Sequence, residues 1–233
     1  MRRACDALNM CCHICDVWSP VAIWRRPLFA PTIVGAYCEN DNLLSQEARK
    51  VNMKRSEINT VVKEAQTAFD RHGWALPPHP RWDVTDFGLG DFDRVGLTLV
   101  NLAEQPEYCE KLMYVRHNQV TPRHYHAAKK EDIICRWGRL AIELPSSTPV
   151  RLQVNGEWCD IPAGTPLMLL SGERVTLTKG VLHAFWADSK YAIVGEVSTA
   201  NDDAHDNYFE DTRVGRFSKI DEDAPAIVKL VSD

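Results

Sequence analysis

The stretch that decides the fold runs from His124 to Gly138 and reads His-Tyr-His-Ala-Ala-Lys-Lys-Glu-Asp-Ile-Ile-Cys-Arg-Trp-Gly. Alternate residues of a strand point to the same face, so His124 and His126 can reach one ion from the inside of a β-structure. Glu131 follows five residues after His126 and can add a carboxylate oxygen. Imidazole and carboxylate ligands together suit Mn, Fe, Co, Ni or Zn better than Mg or Ca. The stretch therefore predicts a transition-metal site.

A second segment, from Gly172 to His183, completes this pattern. Gly180 permits a tight turn, because glycine adopts positive φ without steric cost. His183 then opens a run of aromatic and β-prone residues that includes Phe185 and Trp186. A strand here could lie beside the first segment and direct a third imidazole at the same point.

The chain around these two segments is rich in short β-prone runs. Asn155-Gly156 predicts a two-residue hairpin turn, because both residue types tolerate positive φ. Gly138-Arg139 and Ser171-Gly172 indicate further turns. Many short strands at regular spacing predict a mainly β domain, a sandwich or a barrel. The β-rich runs cover residues 95–102, 111–116, 133–144, 150–154, 166–170, 174–178, 183–188 and 192–197.

An amphipathic helix over residues 57–72 precedes the strands. Ser56 is suited to cap its first turn, and Gly73 is suited to end it. Apolar residues recur along it at helical spacing, namely Ile58, Val61, Val62, Ala65 and Phe69.

Residues 1–52 differ from the rest of the chain, being rich in Cys, Arg, Pro and Trp without any helical or strand period. Met53-Lys54-Arg55-Ser56 reads like the start of a protein. We expect 1–52 to be a poorly ordered extension, or non-native upstream sequence, and 53–233 to be the functional domain. The alternative is a genuine segment that packs on the domain.

The composition of the chain limits the classes of protein to which it can belong. The formal net charge of −5 offers no large basic field for nucleic acid or an anionic membrane. No uninterrupted apolar run reaches the roughly 18 residues of a membrane span, and Asp6 and Asp16 interrupt any signal-peptide core. Five of the eight cysteines lie in the first 38 residues, so the domain carries no disulfide framework. We expect a cytoplasmic protein that binds neither nucleic acid nor membrane.

The two histidine segments resemble the paired motifs of the cupin superfamily, whose fold is a small jelly-roll-like β-barrel that holds one metal ion. Asn118 stands where a glycine is usual, Thr178 replaces a common proline, and Ala187 replaces a common asparagine. None of these departures removes a ligand. The resemblance implies a cupin barrel with an N-terminal helical segment.

Residues 53–233 also resemble the D-lyxose isomerase family of cupin sugar isomerases. The segments that carry the resemblance are Trp82-Asp83-Val84-Thr85-Asp86-Phe87-Gly88, Glu110-Lys111-Leu112-Met113, Gln119-Val120-Thr121-Pro122, Lys130-Glu131-Asp132-Ile133-Ile134, His183-Ala184-Phe185-Trp186, Gly195-Glu196-Val197-Ser198, Asn201-Asp202-Asp203 and His205-Asp206-Asn207.

This resemblance implies an aldose–ketose isomerase that interconverts D-lyxose and D-xylulose, with D-mannose and D-fructose as a slower pair. It implies a divalent metal, most commonly Mn²⁺, with Co²⁺, Fe²⁺ or Zn²⁺ as further candidates, and a homodimer. Lys111 matches a lysine that lines the active site of the family. The matching metal ligands are His124, His126, Glu131 and His183.

Other candidate residues follow from the chemistry of isomerisation, which needs a base to move a proton between neighbouring carbons. Glu196 is a carboxylate inside an apolar strand and is our candidate base; the alternative is that it faces outward. Asp206 and Arg216 are candidate contacts to sugar hydroxyls. Trp186 is a candidate apolar wall for the sugar ring, or else a core aromatic residue.

Two other functions use the same fold. A metal-dependent oxygenase would need open iron positions for O₂, but it would have no need of Lys111 and Glu196. A non-catalytic cupin that binds sugar or senses metal would need no base. Because a fold does not by itself specify a reaction, the residues around the metal must decide between these readings.

Overall fold

The computed structural model describes residues 52–202, 205–215 and 219–233. The predicted extension, 1–52, therefore lies outside the described residues except for its last position. No helix in the described part of the chain is long and apolar enough to cross a membrane.

The N-terminal helix, α1 (Arg55–Arg71), begins two residues before the predicted start, and Ser56 lies inside it instead of capping it. Other acceptors satisfy the N–H groups at this end. The Asp223 carboxylate accepts bonds from both the backbone and the hydroxyl of Ser56, and Glu57 accepts the Lys54 N–H. The helix ends as predicted before Gly73, which has a φ of 75°.

Strands are the commonest regular element of the described chain. They are β1 (Met53–Lys54), β2 (Arg81–Thr85), β3 (Leu97–Glu104), β4 (Tyr108–Arg116), β5 (His124–Tyr125), β6 (Glu131–Trp137), β7 (Arg139–Glu143), β8 (Val150–Val154), β9 (Glu157–Ile161), β10 (Leu167–Leu170), β11 (Arg174–Leu177), β12 (Ala184–Ala187), β13 (Tyr191–Thr199), β14 (Tyr208–Phe209) and β15 (Ile220–Asp221).

Eight of these strands form one antiparallel sheet in the order β2-β3-β4-β13-β6-β11-β8-β9. The predicted hairpin turn joins β8 to β9, and Asn155 and Gly156 both have positive φ. A second antiparallel sheet has the order β10-β7-β12. The short strands pair as β14 with β5 and β1 with β15.

The β-rich run over residues 133–144 forms two strands that meet at the predicted turn, because the chain changes sheet at Gly138. This residue has a φ of 89°, and a Cβ there would lie 2.5 Å from Ser189 Oγ and 2.6 Å from the Tyr191 carbonyl oxygen. Only glycine therefore fits the corner between β6 in the large sheet and β7 in the small one.

Two hydrophobic clusters hold these layers together. The larger lies between the two sheets and includes Met113, Ile142, Leu169 and Phe185. In the smaller one, the apolar stripe of α1 packs against Trp82 and other side chains on the opposite face of the large sheet. The predicted mainly β fold with an N-terminal helix is confirmed. Its strands form facing sheets and not one closed hydrogen-bonded sheet.

Candidate metal centre and active site

Three imidazoles meet at one end of the space between the sheets. His124 begins β5, His126 follows that strand, and His183 immediately precedes β12. His124 and His183 exchange two backbone hydrogen bonds of 2.9 Å each. One ligand nitrogen from each of the three residues lies within 4.8 Å of the other two. The two halves of the sequence pattern are thus brought to a single point.

The orientation of each ring is set by a backbone carbonyl. The Nδ1–H groups of His124, His126 and His183 donate to the carbonyl oxygens of Pro122 at 2.9 Å, Asp206 at 2.6 Å and Val181 at 3.0 Å. A carbonyl can only accept, so these bonds assign the proton to Nδ1 and leave the Nε2 lone pair for a ligand.

The protonation of the site favours cation binding. Burial lowers the pKa of His124 well below its ordinary value, and burial also lowers the pKa of His126 against the pull of Glu131. Burial alone would raise the pKa of Glu131, but the Lys129 charge and the facing imidazoles hold it well below its ordinary value. His124 and His126 therefore offer neutral imidazoles and Glu131 an ionised carboxylate, which are the forms that bind metal.

Glu131 is the first residue of β6 and directs Oε1 at the imidazoles. This oxygen lies 3.6 Å from His126 Nε2 and 3.3 Å from His183 Nε2. Within the described residues, neither Glu131 Oε1 nor His183 Nε2 has a hydrogen-bond partner, although both are buried. Buried polar atoms are rarely left unsatisfied, and two facing lone pairs fit a shared cation. The three histidines and Glu131 could therefore hold a divalent ion.

Beside the candidate ligands lies a buried ion network that includes the predicted base. Lys129 Nζ is 2.8 Å from Glu131 Oε2 and 3.0 Å from Glu196 Oε1. Lys111 Nζ lies 3.7 Å from the same Glu196 oxygen and donates to Asn201 Oδ1 at 3.3 Å. Glu196 is 4% exposed and faces inward, directly opposite Lys111 in the pairing of β13 with β4.

Lys129 lies in this network although the sequence motifs did not single it out. A signal was present: Lys129 precedes Glu131 by two positions, which is the spacing of residues on one face of a strand. Although burial opposes its charge, Glu196 and Glu131 raise the pKa of Lys129 above its ordinary value. The network therefore links a candidate metal ligand to the candidate base through a permanent cation.

A cavity of about 290 Å³ opens onto these groups. This volume is near the lower end of the roughly 300–1,000 Å³ typical of small-molecule sites. Its apolar wall includes Phe87, Phe185 and Phe209, and polar side chains of Asp83, Thr85 and Asn207 also line it. The four candidate ligands, Lys111, Lys129 and Glu196 complete the chemically active part of the lining.

Of the three other residues predicted to contact the sugar, the two that the structure describes, Trp186 and Asp206, are not part of the cavity lining. Trp186 does not line the cavity, since alternation along β12 directs its neighbour Phe185 inward. Asp206 is 8% exposed, and its carboxylate accepts the backbone N–H groups of residues 127–129. Burial opposes ionisation, but these bonds hold the pKa of Asp206 below its ordinary value. Arg216 lies outside the described residues.

A C-terminal segment, residues 205–215, covers the imidazoles. Its strand β14 pairs with β5, and the Phe209 ring lies 5.6 Å from that of His124 and 5.9 Å from that of Phe87. The Gly215 N–H donates to the Phe87 carbonyl at 2.9 Å. The apolar side of the cavity is therefore assembled from segments far apart in the chain, which no local pattern indicated.

Comparisons with known proteins relate the chain to sugar isomerases. The profile of the D-lyxose isomerase family matches residues 80–233. D-lyxose/D-mannose isomerase of Escherichia coli O157:H7 is 35% identical over 78% of this chain and 98% of its own. D-lyxose ketol-isomerase of Cohnella laeviribosi is 30% identical over 73% and 100%, respectively.

A solved structure shares the fold. A mutant of the L-ribose isomerase of Acinetobacter sp. DL28, in complex with L-ribose, superposes with a TM-score of 0.59 at 17% identity. The match covers 75% of this chain and all of that one. At this identity, the likeness concerns the fold alone.

Proposed function

The chain belongs to the D-lyxose isomerase family, and we propose that it interconverts D-lyxose and D-xylulose, and more slowly D-mannose and D-fructose. The observation that carries the proposal is that the four candidate cation ligands line the same cavity as the buried carboxylate of Glu196 and two lysines. Relatives named D-lyxose/D-mannose isomerase support the choice of sugars.

The reaction moves a carbonyl group from C1 to C2 of the open-chain sugar. One proton leaves C2 and returns to C1, and the proton of the O2 hydroxyl ends on O1. Aldose and ketose are isomers, so no oxidant or reductant is consumed. The intermediate is an enediolate, whose negative charge is concentrated on oxygen. The site must therefore supply a base for carbon and positive charge for oxygen.

Glu196 is the proposed base. Its carboxylate lines the cavity and is held by two ammonium groups, at 3.0 Å from Lys129 and 3.7 Å from Lys111. These contacts fix the carboxylate in one position, and a positioned base contributes about 10²–10⁴-fold to the rate. Lys111 also lines the cavity and is proposed to place its charge near the developing oxyanion.

The metal requirement is proposed from the donor set. A divalent ion held by the three imidazoles and Glu131 would act as a Lewis acid and stabilise the enediolate charge by several kcal/mol, in order of magnitude. Mn²⁺ is the proposed ion, with Co²⁺, Fe²⁺ and Zn²⁺ as alternatives that the same nitrogen and oxygen ligands accept. From the family resemblance we further propose a cytoplasmic homodimer.

Recognition of the sugar is assigned to other residues of the same cavity lining. Phe87 and Phe209 exclude water from the reacting carbons, and Asn207 and Asp83 are placed to bond sugar hydroxyls within the cavity. A site that bonds a hydroxyl discriminates strongly against an analogue that lacks it, because its own polar groups then stay unpaired.

One experiment tests the reaction and the metal together. Chelator-stripped protein is incubated with D-lyxose, Mn²⁺, Co²⁺, Fe²⁺ or Zn²⁺ is added back separately, and ketose is measured. We expect D-xylulose with at least one ion and none with chelator present. Folded protein that binds the ion but forms no ketose with any of them would refute the proposal for this sugar. D-mannose and oxygen consumption would then be tested.

A further inference from the structure

The loop of residues 127–130 connects two of the candidate ligands, His126 and Glu131, and one side chain accepts three of its backbone N–H groups. Oδ1 of Asp206 accepts the backbone N–H groups of Ala127 at 2.8 Å and Ala128 at 2.9 Å. Oδ2 accepts the N–H of Lys129 at 2.8 Å. Three successive N–H groups thus converge on one carboxylate, as in the backbone nests that bind anions.

The same residue orients the imidazole at the start of this loop. The backbone carbonyl of Asp206 accepts the Nδ1–H of His126 at 2.6 Å, which leaves Nε2 of that ring facing the site. The Asp206 N–H in turn donates to the Asp202 carbonyl at 2.9 Å. One residue therefore holds one candidate ligand by its ring and the other by the loop that leads to it.

Asp206 acts behind the cavity and not in it. The side chain is buried and is absent from the cavity lining, where the next residue, Asn207, is found. Its acceptor oxygens are directed at the loop backbone, so they do not face the space that a sugar would occupy.

We propose that Asp206 is a positioning residue of the metal centre, which holds His126 and Glu131 at the separation that one divalent ion requires. The inference rests on the proposed function, because it takes the four ligands to bind a metal. The C-terminal segment would thus raise the affinity for the metal, although it contributes none of the four ligands.

The chemistry of the carboxylate suggests the variant. A carboxylate has acceptors only, whereas the amide of Asp206→Asn has one acceptor oxygen and one NH₂ group. The amide oxygen can still accept N–H groups of the loop, but the amide NH₂ group then faces another backbone N–H, and two donors cannot form a hydrogen bond. Loss of an interaction behind a metal ligand typically weakens metal binding about 10–100-fold.

The test compares wild type, Asp206→Asn and a matched control, Asp211→Asn, in the full-length protein. Asp211 lies in the same C-terminal segment, and its carboxylate accepts bonds from the nearby Arg213. Each chelator-stripped protein is titrated with Mn²⁺ by calorimetry, and the visible spectrum of its Co²⁺ form is recorded. KM and kcat for D-lyxose are measured at saturating Mn²⁺.

We expect Asp206→Asn to bind Mn²⁺ about 10–100-fold more weakly and to change the Co²⁺ spectrum, with the control unchanged. KM at saturating metal should stay within about twofold, since no sugar contact is lost. If Asp206→Asn keeps the Mn²⁺ affinity and the Co²⁺ spectrum of wild type, the proposal is overturned. If its KM for D-lyxose is raised while affinity and spectrum stay unchanged, Asp206 is a sugar contact instead.

If Asp206→Asn yields no folded protein, Asp206→Glu decides the question. It keeps the charge but displaces the acceptor oxygens by one methylene, so weaker Mn²⁺ binding supports the proposal and wild-type binding overturns it. The metal titrations need no turnover. Wild type that binds Mn²⁺ without forming ketose would therefore refute the proposed function while leaving this inference to be judged on affinity.

Discussion

His124 and His183 exchange both of their backbone hydrogen bonds, at 2.9 Å each, and direct their rings to the same place with centroids 4.3 Å apart. The backbone pairing thus holds the two residues side by side, and the carbonyls of Pro122 and Val181 orient their rings. Since the side chains take no part in this pairing, either ring can be removed without breaking it.

Replacing His183 with alanine should therefore remove metal binding and activity while leaving the fold in place. We expect at least a 100-fold loss of Mn²⁺ affinity, because even residues behind a ligand contribute about 10–100-fold. Calorimetric titration measures the affinity, and circular dichroism monitors the fold. The control is His205→Ala, which removes an exposed imidazole that is paired with Asp202. Full turnover of His183→Ala in chelator would contradict the metal requirement.

Glu196→Gln tests the base. Glutamine keeps the shape and one acceptor oxygen for Lys129, but it cannot take a proton from carbon. We expect kcat to fall about 10²–10⁴-fold and KM for D-lyxose to change little. Glu143→Gln, which alters a carboxylate bound to Arg123 outside the cavity lining, serves as the control. An unchanged kcat would remove Glu196 from the mechanism.

Lys129→Met should destabilise the metal-free protein by about 3–5 kcal/mol, because it leaves two buried carboxylates without their shared cation. Chemical denaturation of the chelator-stripped protein measures this. Lys111→Met should cost less, since its ammonium lies 3.7 Å from Glu196 Oε1, compared with 3.0 Å for Lys129. Equal losses from the two substitutions would show that Lys129 has no special place in the network. Added Mn²⁺ should restore part of the stability by compensating Glu131.

The pH dependence of stability should depend on Arg55. Its hydrogen bonds lower the pKa of Glu222, and they lower that of Asp233 although burial opposes this. An acid with a depressed pKa in the folded state contributes stability above its unfolded value, and that contribution is lost as the pH falls through the folded value. Arg55→Met should therefore flatten the loss of stability between about pH 5 and pH 3.

Thermal unfolding across this pH range provides the measurement. Arg81→Met, which removes an exposed arginine that contacts Glu104, is the control and should leave the curve unchanged. An Arg55→Met curve with the slope of wild type would mean that Arg55 does not lower the pKa of Glu222 or Asp233 in the folded state.

A chain that begins at Met53 should fold and keep its activity. Met53 is already part of the domain, because its side chain is buried and its backbone pairs with Ile220 in β15. Expression of residues 53–233, followed by the ketose assay, tests this. Loss of soluble, active protein would show that residues 1–52 belong to the domain.

The sequence by itself determined the features that depend on neighbours in the chain. Alternation along a strand indicated that His124 and His126 share a face, and Asn155-Gly156 specified a hairpin whose backbone needs two positive φ angles. The spacing of apolar residues located α1 to within two residues. The motifs also indicated the correct family, because a set of ligands at fixed spacing is a local property of the sequence.

Tertiary structure alone decided which distant groups meet. Lys129 was not singled out by any motif, and it became a site residue because β13 places Glu196 3.0 Å from it. The C-terminal segment folds back over β5. Asp206 therefore accepts bonds from the loop of residues 127–130, and Phe209 lines the cavity, whereas the predicted Trp186 does not. A sequence records which side chains can carry charge or apolar surface. Which of them become partners depends on the register between strands and on burial, where an unpaired charge is too costly to remain alone.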